Sequence, residues 1–341
     1  SRLPQVNWNK LPFGRLFSDH MFTMDYKNGK WSNMSIVPYG NISLSPANSA
    51  LHYGQSCFEG MKAHRNINGD IALFRPFENA KRFNQSNKRM CMPEIDEELF
   101  VNAIMELLAI DHQWVPENLN HSLYIRPFIF ATDPYIGIKP SENYKFMIFT
   151  CPVGAYYSDP VSVKIETNFS RAVQGGTGSA KAAGNYAAAL YPAMLAAEEG
   201  FRQLIWTDAI EHKYIEEAGT MNVIFIINNV LVTPISGDTI LNGITKKSVL
   251  EIAKDWGIEI QERKIEVEEI LNALKSGSLT EAFGAGTAAT IAPISNISLN
   301  GDNFIIPESR SDHFHVKVLD YLSKYKRGEV QDKFNWLEVL N

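Results

Sequence analysis

Apolar positions recur with helical spacing along several stretches of the chain. Residues 96–110, "DEELFVNAIMELLAI", carry that spacing with acidic residues in the first turn, which predicts a helix. Residues 76–90, "PFENAKRFNQSNKRM", open on a proline and predict another. Helices are also predicted over "NYAAALYPAMLAAEEG" (185–200), over "KKSVLEIAKDW", over "VEEILNALKSG" with Gly277 closing it, and over 311–326. Runs rich in aromatic and β-branched residues predict strands at "SLYIRPFIFAT", "YKFMIFTCPV", 161–167, 203–207, 221–227 and 230–233. Asn228 and Asn229 suit a hairpin turn, because asparagine tolerates positive φ. The chain therefore reads as an α+β protein. A small N-terminal domain covers 1–153, an interdomain loop around "GAYYSDP" covers 154–162, and a larger domain with a barrel-like or strongly twisted sheet covers 163–341.

Composition narrows the function classes. The 341 residues are 45% hydrophobic and 21% charged, ordinary for a globular protein of one or two domains. A net charge of −6 gives no reason to expect nucleic acid or an anionic membrane as partner. No apolar run is long enough to span a bilayer, and the opening stretch has no secretory apolar core. Cys57, Cys91 and Cys151 lie far apart and form no zinc-type cluster, so no metal is expected. All three read as small buried hydrophobes in a reducing compartment, the cytoplasm.

Four stretches could carry chemistry. In "GGTGSAKAAGNYAAAL" (175–190) one lysine, Lys181, stands among small residues. A phosphate-binding loop is excluded, because Ala180 and Ala182 replace the glycine and hydroxyl residue that template needs beside the lysine. A third glycine is missing for a dinucleotide fingerprint. A solvated lysine is the commoner case for a lone residue. A Schiff-base lysine would use the room for a flat cofactor. "YIEEAGTMNVIF" sets Glu216 and Glu217 side by side near a glycine turn, so at most one faces any given site. "NGITKKS" places a glycine before a helix N-terminus, a natural anion site. "FGAGTAATIAP" lets backbone approach a ligand, with Thr287 as a donor. Singly, each is commoner as plain structure. Together, a lysine, an acid and two anion-binding turns make a pyridoxal phosphate site.

The order "HYGQSCFEGMKAHR", "RPFENAKRF", "YIRPFIFATDPYIGIKP", "GGTGSAKAAGNYAAAL", "EEAGTMNVIF", "LNGIT" and "GAGTAA" resembles the branched-chain amino-acid aminotransferases, fold-type IV enzymes that use pyridoxal 5'-phosphate. The resemblance covers nearly the whole chain. It implies that Lys181 forms the internal aldimine and shuttles the proton between Cα and the cofactor's C4′. It implies that Glu217 pairs with the pyridine nitrogen, Tyr186 contacts O3′, and Arg82 meets the phosphate. Arg82 taken alone would read as an exposed helix charge. The amides of Ile244 and Thr245, with Thr287, would complete the phosphate cradle.

The same resemblance implies an apolar pocket of Phe13, Tyr53, Phe58 and Tyr124, each of which alone reads as a core aromatic. The α-carboxylate would meet Tyr53 and amides near Thr220 and Ala288. Arg126 would take a second carboxylate, its plain alternative being a buried ion pair. Ile138 would enter a partner subunit's site, implying a homodimer. Some members carry a CxxC pair after "GT"; Ala289 and Ala292 stand there, so no thiol switch is possible. The implied reaction exchanges an amine between L-leucine, L-isoleucine or L-valine and 2-oxoglutarate, yielding L-glutamate. Rivals within the fold are a D-amino-acid aminotransferase and an aminodeoxychorismate lyase. A non-catalytic anion- or nucleotide-binding protein is the rival from another class.

Overall fold

The structure, a computed structural model, describes residues 1–154 and 159–340. It divides into two compact units: Ser1–Tyr156 with Ala180–Gly184 and Ser323–Asn341, and Tyr157–Ser179 with Asn185–Leu322. This differs from the expected division in that two later segments join the first unit, which is then not the smaller one. Physical reasons are visible for both. The chain's last strand, Leu337–Leu340, pairs with the first unit's sheet, and Ala180 and Ala182 belong to that unit's core. Of the expected connection at 154–162, residues 155–158 lie outside the described residues, and a strand begins at Val161.

The first unit holds β1 (His20–Lys27), β2 (Lys30–Pro38), β3 (Ser56–Phe58), β4 (Met61–Arg65), β5 (Ile71–Phe74), β6 (Ser122–Ala131) and β7 (Tyr144–Val153). With the last strand they make one antiparallel sheet in the order last strand–β5–β4–β6–β7–β1–β2, with β3 also on β6. The α-helices α1 (Ser49–Tyr53), α2 (Pro76–Arg89) and α3 (Glu97–Ile110) accompany it. Asp96 starts α3 by accepting from Leu99 N–H at 2.9 Å. Phe83 of α2, Phe100 of α3 and Phe146 of β7 meet with ring centroids 5.4 to 5.8 Å apart and knit both helices to the sheet.

Cys57 and Cys151 are buried as expected, but Cys91 is exposed. The reason is local. Cys91 takes the left-handed position, φ +55, just beyond α2. The amide of Met92 reaches the carbonyl of Asn87 at 2.8 Å, and that of Cys91 reaches Lys88 at 3.2 Å. This is the helix-ending pattern that usually selects glycine.

The second unit holds β8 (Val161–Ile165), β9 (Gln203–Thr207), β10 (Ile215–Ala218), β11 (Met221–Ile227), β12 (Val230–Pro234), β13 (Ile260–Arg263), β14 (Leu279–Gly286), β15 (Thr290–Leu299) and β16 (Asp302–Ile305). Its sheet runs β10–β9–β8–β15–β14–β11, and β10 pairs again with β11. That ring of six strands is a closed barrel. Asn228 and Asn229, at φ +50 and +64, form the expected hairpin turn between β11 and β12. The helix predicted over 185–200 is instead two, α4 (Ala183–Ala188) and α5 (Leu190–Glu198). Pro192 explains the break, because its ring nitrogen cannot bond the carbonyl four residues back. The remaining helices are α6 (Ile244–Asp255), α7 (Val267–Ser276) and α8 (Phe314–Lys326), and Gly277 closes α7 at φ +75. No helix among the described residues is long and apolar enough to cross a membrane.

Replacing Cys91 with glycine should remove the left-handed strain and raise stability by about 0.5–1 kcal/mol. Thermal unfolding of Cys91→Gly against the parent chain checks this; an unchanged or lower Tm contradicts it.

Candidate functional site

Lys181 is held at both of its backbone groups within the first unit. Its N–H donates to Ser86 Oγ of α2 at 2.9 Å, and its carbonyl accepts from Phe58 N–H of β3 at 3.1 Å. Ala182 bridges to Cys57, and it is only 1% exposed. The small residues on either side of the lysine are therefore small because they enter the core. Upstream, a Cβ on Gly178 would collide with Ala172 and with the backbone at Asp238 and Thr239. Close packing of the chain takes up part of what the sequence suggested as room for a ligand.

Ser86 Oγ in turn donates to the carbonyl of Arg82 at 3.0 Å. The Arg82 side chain is 7% exposed, which corrects its reading as an exposed helix charge. Its Nε and Nη2 bond Glu59 Oε1 and Oε2 at 2.7 and 2.9 Å. Asn79 Nδ2 adds 2.8 Å to the same carboxylate, and the amide of Gly60 adds 3.1 Å. Burial pushes the Glu59 carboxyl up, but Arg82 and the nearby Lys181 ammonium outweigh that and hold it below its ordinary range.

The ring of Phe58 lies 4.8 Å from Lys181 Nζ and 4.6 Å from the Arg126 guanidinium, measured to the centroid. Arg126 Nη2 donates to Tyr124 Oη at 3.0 Å, and Tyr124 meets Phe13 edge to face at 5.3 Å. Lys181, Phe58, Arg126, Tyr124 and Phe13 thus form one contact chain. Gly60 is needed beneath it, since a Cβ there would strike the Tyr124 hydroxyl. Arg126 Nε is buried without a hydrogen-bond partner, and no carboxylate pairs with Arg126 among the described residues. The plain alternative for Arg126, a structural ion pair, finds no acid. Tyr53 ends α1 and is exposed, and Ile138 is 94% exposed. Among the described residues no hydrogen bond or ring contact joins either to the chain of contacts.

In the second unit Glu217 of β10 is buried. Its Oε1 accepts from the Leu241 amide at 2.7 Å and from Asn222 Nδ2 at 3.3 Å, and its Oε2 is 3.2 Å from Arg171 Nε. Glu216 next to it is buried too, and burial pushes its carboxyl up despite Thr239 and Arg171. The two adjacent acids thus have different surroundings, and the ion pair belongs to Glu217.

Register then collects the turns. Asn222 pairs with Glu217 on one side and with Ala285 on the other, so the Gly219–Thr220 turn and the Thr287–Ala288 turn lie at one end of the barrel. Asn222 Nδ2 also donates to the Leu241 carbonyl at 2.9 Å, which brings the loop before α6 to the same end. A Cβ on Gly243 would collide with Asn222 Oδ1. Gly243 caps α6, so the amides of Ile244 and Thr245 are helix-terminal donors. Gly284 and Gly286 have a structural reason of their own: a Cβ at either would press on Met221. Tyr186 is half-buried on α4.

Sequence reasoning missed Glu59, Ser86, Arg171 and Asn222. Glu59 and Asn222 stand inside the quoted motifs, but no local signal marks what any of the four does; each was found by what it touches.

A model of the family described as "Amino-transferase class IV" matches residues 56–297. The chain is 45% identical over 340 residues to branched-chain-amino-acid aminotransferase 2 of Bacillus subtilis (strain 168), covering 98% of this chain and 94% of that protein. Branched-chain-amino-acid transaminase 1 of the same organism is 44% identical over 333 residues, with 96% and 94% covered. Among solved structures, the branched-chain aminotransferase of Escherichia coli shares 26% identity at a TM-score of 0.79, covering 95% of this chain and all of that one. A second branched-chain aminotransferase, from T.th. and solved with pyridoxamine 5'-phosphate, shares 25% at 0.80, with 96% and 100% covered. This chain belongs to the class IV aminotransferases, and within them to the branched-chain amino-acid aminotransferase family. The α+β fold of fold-type IV expected from the resemblance is the fold observed.

Glu59→Ala should leave the Arg82 charge buried and unpaired, at a cost of about 3–5 kcal/mol. Because Glu59 titrates below its ordinary 4.5 in the folded chain, the stability it supplies is present above that value and fades as pH falls through the lower folded one. Denaturant unfolding from pH 6 down to the acid limit should show a shallower pH dependence for Glu59→Gln than for the parent. Equal slopes would show that the pair is not the acid-sensitive element.

Proposed function

We propose that this chain is a pyridoxal 5'-phosphate-dependent transaminase. It moves the amino group of L-leucine, L-isoleucine or L-valine to 2-oxoglutarate, with branched-chain 2-oxo acids and L-glutamate as products. The observation that carries this reading is the two-sided backbone clamp on Lys181, whose ammonium lies on the ring of Phe58. A lysine that must both bond an aldehyde and move a proton needs a fixed stem.

The residues present fit the cofactor. Its phosphate would be held by the amides of Ile244 and Thr245, by Thr287, and by the charge of Arg82, whose guanidinium Glu59 orients. Gly243 offers no side chain to cap α6, which leaves those helix-terminal amides to an anion. Thr220 would add a contact, and Tyr186 would meet O3′. When bound, the cofactor supplies an electron sink for the charge left at the substrate's Cα. Glu217 keeps a proton on the pyridine nitrogen, and the Arg171 ion pair holds that carboxylate in place. Lys181 Nζ would take the proton from Cα and deliver it to the cofactor's C4′, as base and then acid, with the same steps run backwards in the reverse direction.

Phe13, Tyr53, Phe58 and Tyr124 would pack on the branched side chain. The α-carboxylate would meet Tyr53 and the amides near Thr220 and Ala288. Arg126, with its buried Nε unmatched, would take the second carboxylate of 2-oxoglutarate. The near-complete exposure of Ile138 supports a homodimer in which it enters the partner's site. The exposed thiol of Cys91 supports a reducing compartment, the cytoplasm. The acidic balance supports neither nucleic acid nor an anionic membrane as partner.

Lys181→Ala should lower transamination between leucine and 2-oxoglutarate by at least about a thousandfold while circular dichroism stays unchanged. Normal turnover by that variant would refute the assignment. Product profiling with L- and D-amino acids separates the proposal from its rivals within the fold. Arg126→Met should weaken 2-oxoglutarate by about 10- to 100-fold in kcat/KM and leave the leucine half-reaction far less affected. Equal losses for both substrates would remove Arg126 from the second-carboxylate role.

A further inference from the structure

The start of α8 gathers three metal-type side chains that none of the chemistry above uses. Glu281 reaches there from β14, and His313 and His315 flank the first helical residue, Phe314. All three are buried, and each offers a ligand atom within 4.8 Å of the others. Glu281 caps the helix: Oε1 accepts from the Phe314 amide and Oε2 from the His315 amide, both at 2.9 Å. His315 Nδ1 lies 2.6 Å from Oε2, and its Nε2 lies 2.8 Å from Ser309 Oγ.

A helix cap alone does not account for this set. Glu281 meets the Phe314 and His315 amides by itself, and the His313 ring adds nothing to that. His313 is 4% exposed, yet among the described residues its ring makes one hydrogen bond, a long one of 3.4 Å from the Arg310 amide to Nδ1. A buried imidazole with one weak ring contact, its nitrogen within 4.8 Å of a second imidazole and a carboxylate, has the donors and the spacing of a ligand set.

We propose that Glu281, His313 and His315 form a binding site for one borderline divalent transition-metal ion of the zinc class. Two imidazole nitrogens and one carboxylate oxygen suit such an ion better than a hard cation, which prefers oxygen ligands throughout. Ligand atoms around one tetrahedral ion lie about 3.3 Å apart, given metal–ligand distances of about 2.0–2.1 Å. The 2.6 Å pair must open slightly, and the wider ones must close. Ser309 is the outer partner the site requires. Its hydroxyl can accept as well as donate, so Nε2 keeps a partner when His315 turns its Nδ1 lone pair to the metal. A cavity of about 660 Å³ borders the site on the Glu281 side, lined also by Phe314, Trp256 and Tyr321. The expectation of no metal rested on cysteine spacing; a His-x-His pair with a distant glutamate has no spacing to read.

Calorimetric titration of the full chain, freed of metal by a chelator, with Zn²⁺ tests the proposal. Co²⁺ titrated in parallel reports the geometry through its visible bands. One equivalent per chain with a tetrahedral cobalt spectrum is expected. His313→Ala should weaken binding at least about tenfold, since losing a ligand costs no less than losing an outer partner. Without metal its Tm should fall modestly from lost packing, since the Glu281 cap stays intact, and Zn²⁺ should raise it less than it raises the parent's. Ser309→Ala should weaken binding less than His313→Ala does. No saturable equivalent, or one that survives unchanged in His313→Ala, would overturn the site.

Discussion

One buried ion pair organises the lysine's surroundings. Glu59 and Arg82 are both removed from water, which is costly for each charge. The cost is offset because two guanidinium nitrogens, an amide side chain and a backbone N–H converge on one carboxylate. Such a pair adds little net stability over a well-packed apolar replacement. What it does is fix geometry, because only one placement of α2 against the residue after β3 satisfies it. Ser86, one turn along α2, is then in place to bond Lys181, and Phe58, next to Glu59, bonds it from the other side. The lysine's stem inherits its position from a charge pair to which it makes no direct bond of its own among the described contacts.

The second unit reaches order by register. A closed barrel allows no slippage of one strand without shifting all. Once Asn222 pairs with both Glu217 and Ala285, two turns and the loop before α6 must meet at one end. Asn222 contributes as a side chain as well, since its amide bonds both the glutamate and the Leu241 carbonyl. Arg171, from outside the strands, then decides which of two adjacent acids is ion-paired. Glu217 meets the guanidinium, while Glu216, with one buried oxygen unbonded, is pushed toward its neutral form.

Much of this was legible along the chain. The strands at 144–153, 203–207 and 221–227 fall where alternation and composition put them, and α2, α3 and α7 begin and end within a residue or two of their signals. The family was legible from ordered motifs around Lys181, Glu217 and Gly243. Other signals were present and outweighed: Pro192 marked the break between α4 and α5 inside an otherwise helical run. The glycines at 178, 284 and 286 suggested ligand space, but their neighbours are protein atoms.

Periodicity, caps and motif order act over a few residues, so the sequence alone determined most of the elements, the fold class and the family. Burial and partnership act between residues far apart in the chain. Nothing near Arg82 in sequence announces Glu59, 23 positions away, and nothing near Glu217 announces Arg171. The exposure of Cys91 follows from a helix-end conformation that its side chain does not signal. Tertiary structure alone decided which charges are buried, which are paired and which small residues are small for packing, because those depend on what the fold brings alongside.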